Sequence, residues 1–91
     1  MTIPGKLQSY LASGKPIIAS INGIGAEIIK ESKSGYVSNA EDPISLSNSI
    51  IDFSKLNLKQ RKALGKNARN YYKKEFERTR LLNRLINIFE E

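Results

Sequence analysis

The sequence predicts an α/β fold: the second half of a doubly wound parallel sheet, followed by three C-terminal helices. Three observations carry this expectation. Residues 16–21, PIIASI, form a β-branched and almost wholly apolar run, the pattern of a strand covered on both faces. A second short strand pattern at residues 35–38 is separated from it by a helical stretch, the spacing of two parallel strands joined by a helical crossover. Beyond Ala40 only helical periodicity remains.

Taken in order, Leu7, Tyr10 and Leu11 recur at i, i+3 and i+4. They predict a helix over residues 5–13 that is entered through Pro4-Gly5 and stopped by Gly14 at a position that tolerates the left-handed conformation. Lys15-Pro16 then forces the chain to extend. After the first strand, Asn22-Gly23 makes a turn. Residues 25–33 suit a short helix with Glu27 in its first turn, where a negative charge complements the helix dipole, and with Lys30 and Lys33 near its end. Asp42-Pro43 reads as an N-cap followed by proline at the first helical position. Leu46, Ile50 and Phe53 mark one apolar face of a helix over residues 43–53. A further helix is predicted over 57–75, with Leu64, Ala68, Tyr71 and Tyr72 on one face, and a last one over 78–89, with Leu82, Leu85, Ile86 and Phe89. The chain thus reads as a single unit, residues 1–91, with a helix-strand-helix-strand part at 1–41 and a helical tail at 42–91.

A chain of 91 residues buries only about 60–65% of the surface it exposes unfolded, so its stability margin is thin. Two parallel strands cannot cover both faces and both edges of a sheet. Ile17, Ile18 and Ile21 are too apolar for an open edge, so the sequence predicts an incomplete sheet, a shortened chain or partial gene product, and an exposed edge that favours self-association.

The chain holds neither cysteine nor histidine. Disulfides and thiolate metal sites are thereby excluded, and the commonest general base and metal ligand are both missing. No catalytic residue and no metal ligand is predicted. With no leader-like start and no long apolar run, the expectation is a soluble cytoplasmic protein, with the inner face of the membrane as a place of contact.

The net charge of +6 is concentrated in the tail. Residues 1–54 carry four basic and five acidic side chains, whereas residues 55–91 carry eleven and four. Such a tail is either a solvated face or a surface for polyanions.

One turn suggests a ligand. A helix N-terminus presents unpaired N–H groups and a partial positive charge, so Pro4-Gly5-Lys6 reads either as a diphosphate seat, with Gly5 allowing close approach and Lys6 adding a cation, or as a plain helix start with a solvated lysine. Asn22-Gly23 stands just past a strand's carboxyl end, where ligands approach open α/β sheets, or is simply a turn.

The phrases PGKLQSYLASGKPIIASINGIGAEII, GYVSNAEDPISLSNSI and RKALGKNARNYYKKEFERTRLLNRL together resemble the carboxy-terminal portion of bacterial family-4 glycosyltransferases of the GT-B fold, over nearly all of residues 3–89. The resemblance implies the last part of a Rossmann-like, nucleotide-sugar donor-binding domain. The acceptor would be bound by an amino-terminal domain absent from these residues. It further implies a nucleoside diphosphate sugar, UDP-linked, as substrate with no separate cofactor; retention of the anomeric configuration; a role in surface-polysaccharide or glycan biosynthesis; and no activity from this portion alone. Lys6 would meet the diphosphate. The pattern departs from the family at one point: members commonly carry a spaced pair of glutamates that contact the sugar and the ribose, and here Met1 and Ser9 stand in those places. Ser9 would then offer a hydroxyl to the ribose, or is a solvated serine on a helix face. Glu27 is read as a dipole-matched residue only.

Donor-binding residues are therefore expected at Pro4, Gly5, Lys6, Ser9, Asn22 and Gly23. The alternative is a small basic interaction module whose helical tail binds nucleic acid or an anionic membrane surface. Its nucleic-acid form is disfavoured because Tyr71 and Tyr72 fall on the apolar face rather than forming an exposed stacking platform.

Overall fold

The computed structural model describes residues 5–90. Six elements follow in order: α1 (Gly5–Ala12), β1 (Ile17–Ser20), α2 (Ile24–Ser32), β2 (Gly35–Ser38), α3 (Pro43–Ser54) and α4 (Leu58–Glu90). β1 and β2 pair in parallel, with Ile17 opposite Gly35 and Ser20 opposite Ser38, and α2 is the crossover between them. The expected α/β class, a partial doubly wound sheet, is what the chain forms.

Side chains alternate across a strand, so Ile17, Ala19 and Ile21 share one face of β1. Ile17 joins Leu7 and Leu11 of α1, Ile28 and Ile29 of α2 and Ala68 of α4 in the buried core. Ala19, Ile21, Val37, Tyr71 and Tyr72 pack around it. The N–H groups of Ile17 and Ile21 donate toward β2, to Ser34 and Ser38. By the same alternation the backbone groups of Ile18 and Ser20 point to the opposite edge of the strand.

Local signals set the helix ends. Gly14 adopts a left-handed φ of +68° after α1, where a residue without Cβ is favoured. Asp42 caps α3 by accepting from the Ser45 N–H at 3.0 Å, with Pro43 in the first turn. The face of α3 is less covered than its periodicity predicts: Leu46 and Phe53 are half-buried, whereas Ile50 is exposed.

The tail differs from expectation. Residues 57–75 and 78–89 do not form two helices; α4 is one helix of 33 residues. At 1.5 Å per residue it is about 50 Å long, and it accounts for the longest dimension of the molecule, 53 Å. The apolar pattern lapses at Glu75, Glu77 and Arg78, but none of these residues breaks a helix. Arg78 instead approaches Glu75 at 3.6 Å across one turn, and the Thr79 hydroxyl donates to the Glu75 carbonyl at 2.9 Å. The C-terminal helices therefore number two, not three.

α4 grips the α/β unit by its backbone. A Cβ at Gly65 would collide with the Gly14 carbonyl oxygen, so glycine lets the helix lie directly on the α1–β1 turn. From the same stretch, Asn67 Nδ2 donates to the Lys33 carbonyl at the end of α2 at 2.9 Å. Helix carbonyls that have no partner within their own helix are satisfied in this way. Among the described residues, no helix is long and apolar enough to cross a membrane.

Candidate functional site

The short connection through Ser13–Gly14–Lys15–Pro16 reverses the chain, so α1 runs back along β1 and its first turn returns to the end where β1 finishes. Between them lies an open groove of about 670 Å³. Lys6, Tyr10, Asn22 and Gly25 line it together with the apolar edge of β1. Its charged lining residues are Lys6 and Lys15, and no acidic side chain is among them. At the carboxyl end of β1 the groove therefore offers an anion Lys6, apolar walls and the N-terminal ends of α1 and α2, with Lys15 at its other end.

Of the expected site residues, Pro4 lies outside the described residues. Gly5 opens α1 and is exposed, with open space where a Cβ would stand. Lys6, in the first turn, is exposed and lines the groove. Ser9 does not line it; its hydroxyl donates to the Gly5 carbonyl of its own helix at 3.4 Å. Asn22 lines the groove, and its Oδ1 accepts from the Ala40 N–H at 3.2 Å, tying the β1–α2 turn to the β2–α3 turn. Both turns follow the carboxyl ends of their strands, so this hydrogen bond fixes the rim of the sheet where ligands enter open α/β folds.

Gly23 is the N-cap of α2, with φ 79° and ψ −148°, a backbone region confined essentially to glycine. Its carbonyl accepts from Glu27 N–H at 3.2 Å, while no side chain caps the first turn of α2. A glycine N-cap leaves that turn's N–H groups without side-chain cover. The structure thus brings Lys6 and Asn22 into one groove, places Gly23 at its helix entrance, and leaves Ser9 outside.

Tyr10, Gly25 and Lys15 also line the groove and are not among the expected site residues. Tyr10 has the spacing of the apolar face of α1 but is 55% exposed and stands one turn beyond Lys6 on the groove side. Gly25 follows Gly23 by two positions, and the doublet was the available signal. In the sequence Lys15 signals only the break before β1. Among the described residues, no cluster of histidine, cysteine, aspartate or glutamate is gathered that could hold a metal ion.

The family model for group 1 glycosyl transferases matches residues 4–71, well over half of the chain. The match takes in the groove, α3 and all of the core-packing part of α4 except Tyr72, and residues 72–91 lie beyond it. No curated protein and no solved structure matches the chain.

Proposed function

This chain belongs to the group 1 glycosyl transferases, and from that premise we propose that it is the nucleotide-sugar donor-binding portion of a GT-B glycosyltransferase, of the bacterial family-4 type, serving surface-polysaccharide or glycan biosynthesis. The supporting observation is that Lys6 of α1 and Asn22 of the β1–α2 turn line the same acid-free groove, which runs along β1 to its carboxyl end.

A donor such as a UDP-sugar would set its diphosphate at that end, against the Lys6 ammonium and the first turns of α1 and α2. Negative charge grows on the departing diphosphate as the glycosidic bond to phosphate breaks, and a fixed cation with oriented N–H groups stabilises that charge where it develops. Tyr10 and the apolar edge of β1 provide a wall for the uncharged parts of the donor. With no histidine in the chain and no carboxylate lining the groove, the residues here bind and orient one reactant. Sugar transfer then requires an acceptor-binding domain. Reading the whole chain as a basic interaction module accounts for neither the groove nor the family match.

The test is an NMR titration of the chain with UDP. Shifts concentrated at Lys6, Tyr10, Asn22 and Gly25 are expected; shifts confined to the basic tail would overturn this reading.

A further inference from the structure

Of the eight asparagines in the chain, Asn22 alone precedes a glycine. Both residues of the pair are exposed on the turn that follows β1, and Asn22 lines the groove. An asparagine can react with its own backbone, because the nitrogen of the next residue attacks the side-chain carbon Cγ. A glycine in the next position, with no Cβ, obstructs that attack least.

The surroundings of the turn favour the reaction. The Ala40 N–H donates to Asn22 Oδ1 at 3.2 Å, and Oδ1 is the atom on which negative charge collects once nitrogen has added to Cγ. A donor held where charge develops stabilises that intermediate. Gly23 is the N-cap of α2, so its nitrogen stands at the positive end of the helix dipole, which favours loss of its proton. In a capping box the side chain at the third helical position covers the N–H of the N-cap. Here that position is Ala26, which has no acceptor.

The fold withholds the same reaction elsewhere. Asn48, Asn67, Asn70, Asn83 and Asn87 lie inside α3 or α4, where the following N–H is committed to the helical ladder. The Ala40 N–H, which would have to attack Asn39, is already given to Asn22. Asn57 precedes Leu58, whose branched side chain crowds the ring that must form.

We infer that Asn22-Gly23 is a self-modifying site that converts Asn22 to aspartate and isoaspartate. The Gly23 nitrogen gives its proton to a solvent base and bonds to Asn22 Cγ; the Cγ–Nδ2 bond breaks, ammonia leaves and a five-membered succinimide closes. Water then opens the ring. Cleavage of the nitrogen–Cγ bond gives aspartate with the original backbone, and cleavage between the nitrogen and the main-chain carbonyl carbon gives isoaspartate, whose backbone runs through Cγ. Water is the only co-reactant, and nothing is oxidised or reduced.

Either product puts a carboxylate into a groove whose lining has none. On the donor-binding reading, on which this consequence alone rests, the new charge opposes the diphosphate and the seat closes as the protein ages.

The experiment holds the full folded chain at mildly alkaline pH and samples it over time. Isoaspartate is labelled with an isoaspartyl methyltransferase and located by peptide mapping, and isoelectric focusing follows the more acidic species. Label at residue 22 ahead of every other asparagine is expected, at a rate no lower than in the same chain unfolded in urea. Asn22→Gln would need a six-membered ring and should keep a single band. An Asn22 that retains its amide, one that folding protects relative to urea, or label arising first at another asparagine would overturn the site. UDP titration of the fresh chain tests the donor reading separately: absence of binding there would count against that reading and leave the labelling result standing. Where the fresh chain binds UDP, Asn22→Asp should bind it more weakly, and equal affinity would overturn the effect on the donor.

Discussion

Arg69 reaches back across 57 positions to donate from Nη1 to the Ala12 carbonyl oxygen at 2.7 Å, closing the end of α1 with a side chain of α4. Its guanidinium also lies 5.6 Å from the centre of the Tyr72 ring. A cation at a helix C-terminus opposes the negative end of the dipole and satisfies a carbonyl that the helix cannot. α4 is therefore the clamp that holds α1, and with it Lys6, against the strand.

Two substitutions test the clamp. Gly65→Ala places a methyl group against the backbone of the α1–β1 turn, and such overpacking destabilises by about 1–3 kcal/mol. Arg69→Ala removes an exposed charged hydrogen bond and should have the smaller effect, about 1 kcal/mol. Urea unfolding followed by circular dichroism reads both; a Gly65→Ala chain as stable as its parent would contradict the close approach of α4.

The continuity of α4 predicts the effect of proline beyond the core. Pro in a helix interior costs about 3 kcal/mol, but residues 77–87 are exposed and contribute little to the core. Glu77→Pro should therefore lower helical ellipticity while leaving the urea midpoint nearly unchanged. An unchanged far-ultraviolet spectrum would mean that the chain already breaks there.

Tyr71 supplies a pH signature. Burial, followed by the nearby carboxylates of Glu31 and Glu75, raises its phenol above the ordinary value of 10.0, with Arg78 opposing. The unfolded chain then loses this proton more readily than the folded one. The resulting stability is fully present below pH 10 and is lost as pH rises through the folded value. Tyr71→Phe should reduce the fall in stability measured by urea unfolding above that pH, and an identical alkaline profile in the variant would show that Tyr71 is not the group responsible.

What the sequence revealed and what it hid divide along physical lines. Asp42-Pro43 and Gly14 act within a few residues of themselves, and both do in the structure what their chemistry predicts. The pattern of α4 suggests two helices because the apolar row lapses at Glu75 and Arg78, yet a helix backbone requires no apolar row to continue, only the absence of a breaker. Tyr10 and Ile50 share the spacing of buried neighbours, but whether such a position is covered depends on how much surface the opposing elements supply. The pairing of Lys6 with Asn22 in one groove follows from the reversal of the chain at Gly14, which a one-dimensional pattern only hints at. Gly65 carried no readable signal, since its role exists only where α4 crosses the α1–β1 turn.

If Lys6 neutralises the diphosphate of a nucleotide-sugar donor, calorimetric titration of UDP into the unaltered and Lys6→Ala chains will separate their affinities. Measurable UDP binding that weakens by about 1.5–3 kcal/mol on substitution is expected, the range of a charge-assisted hydrogen bond. Equal affinity in the two chains would assign Lys6 to solvent and contradict the donor seat.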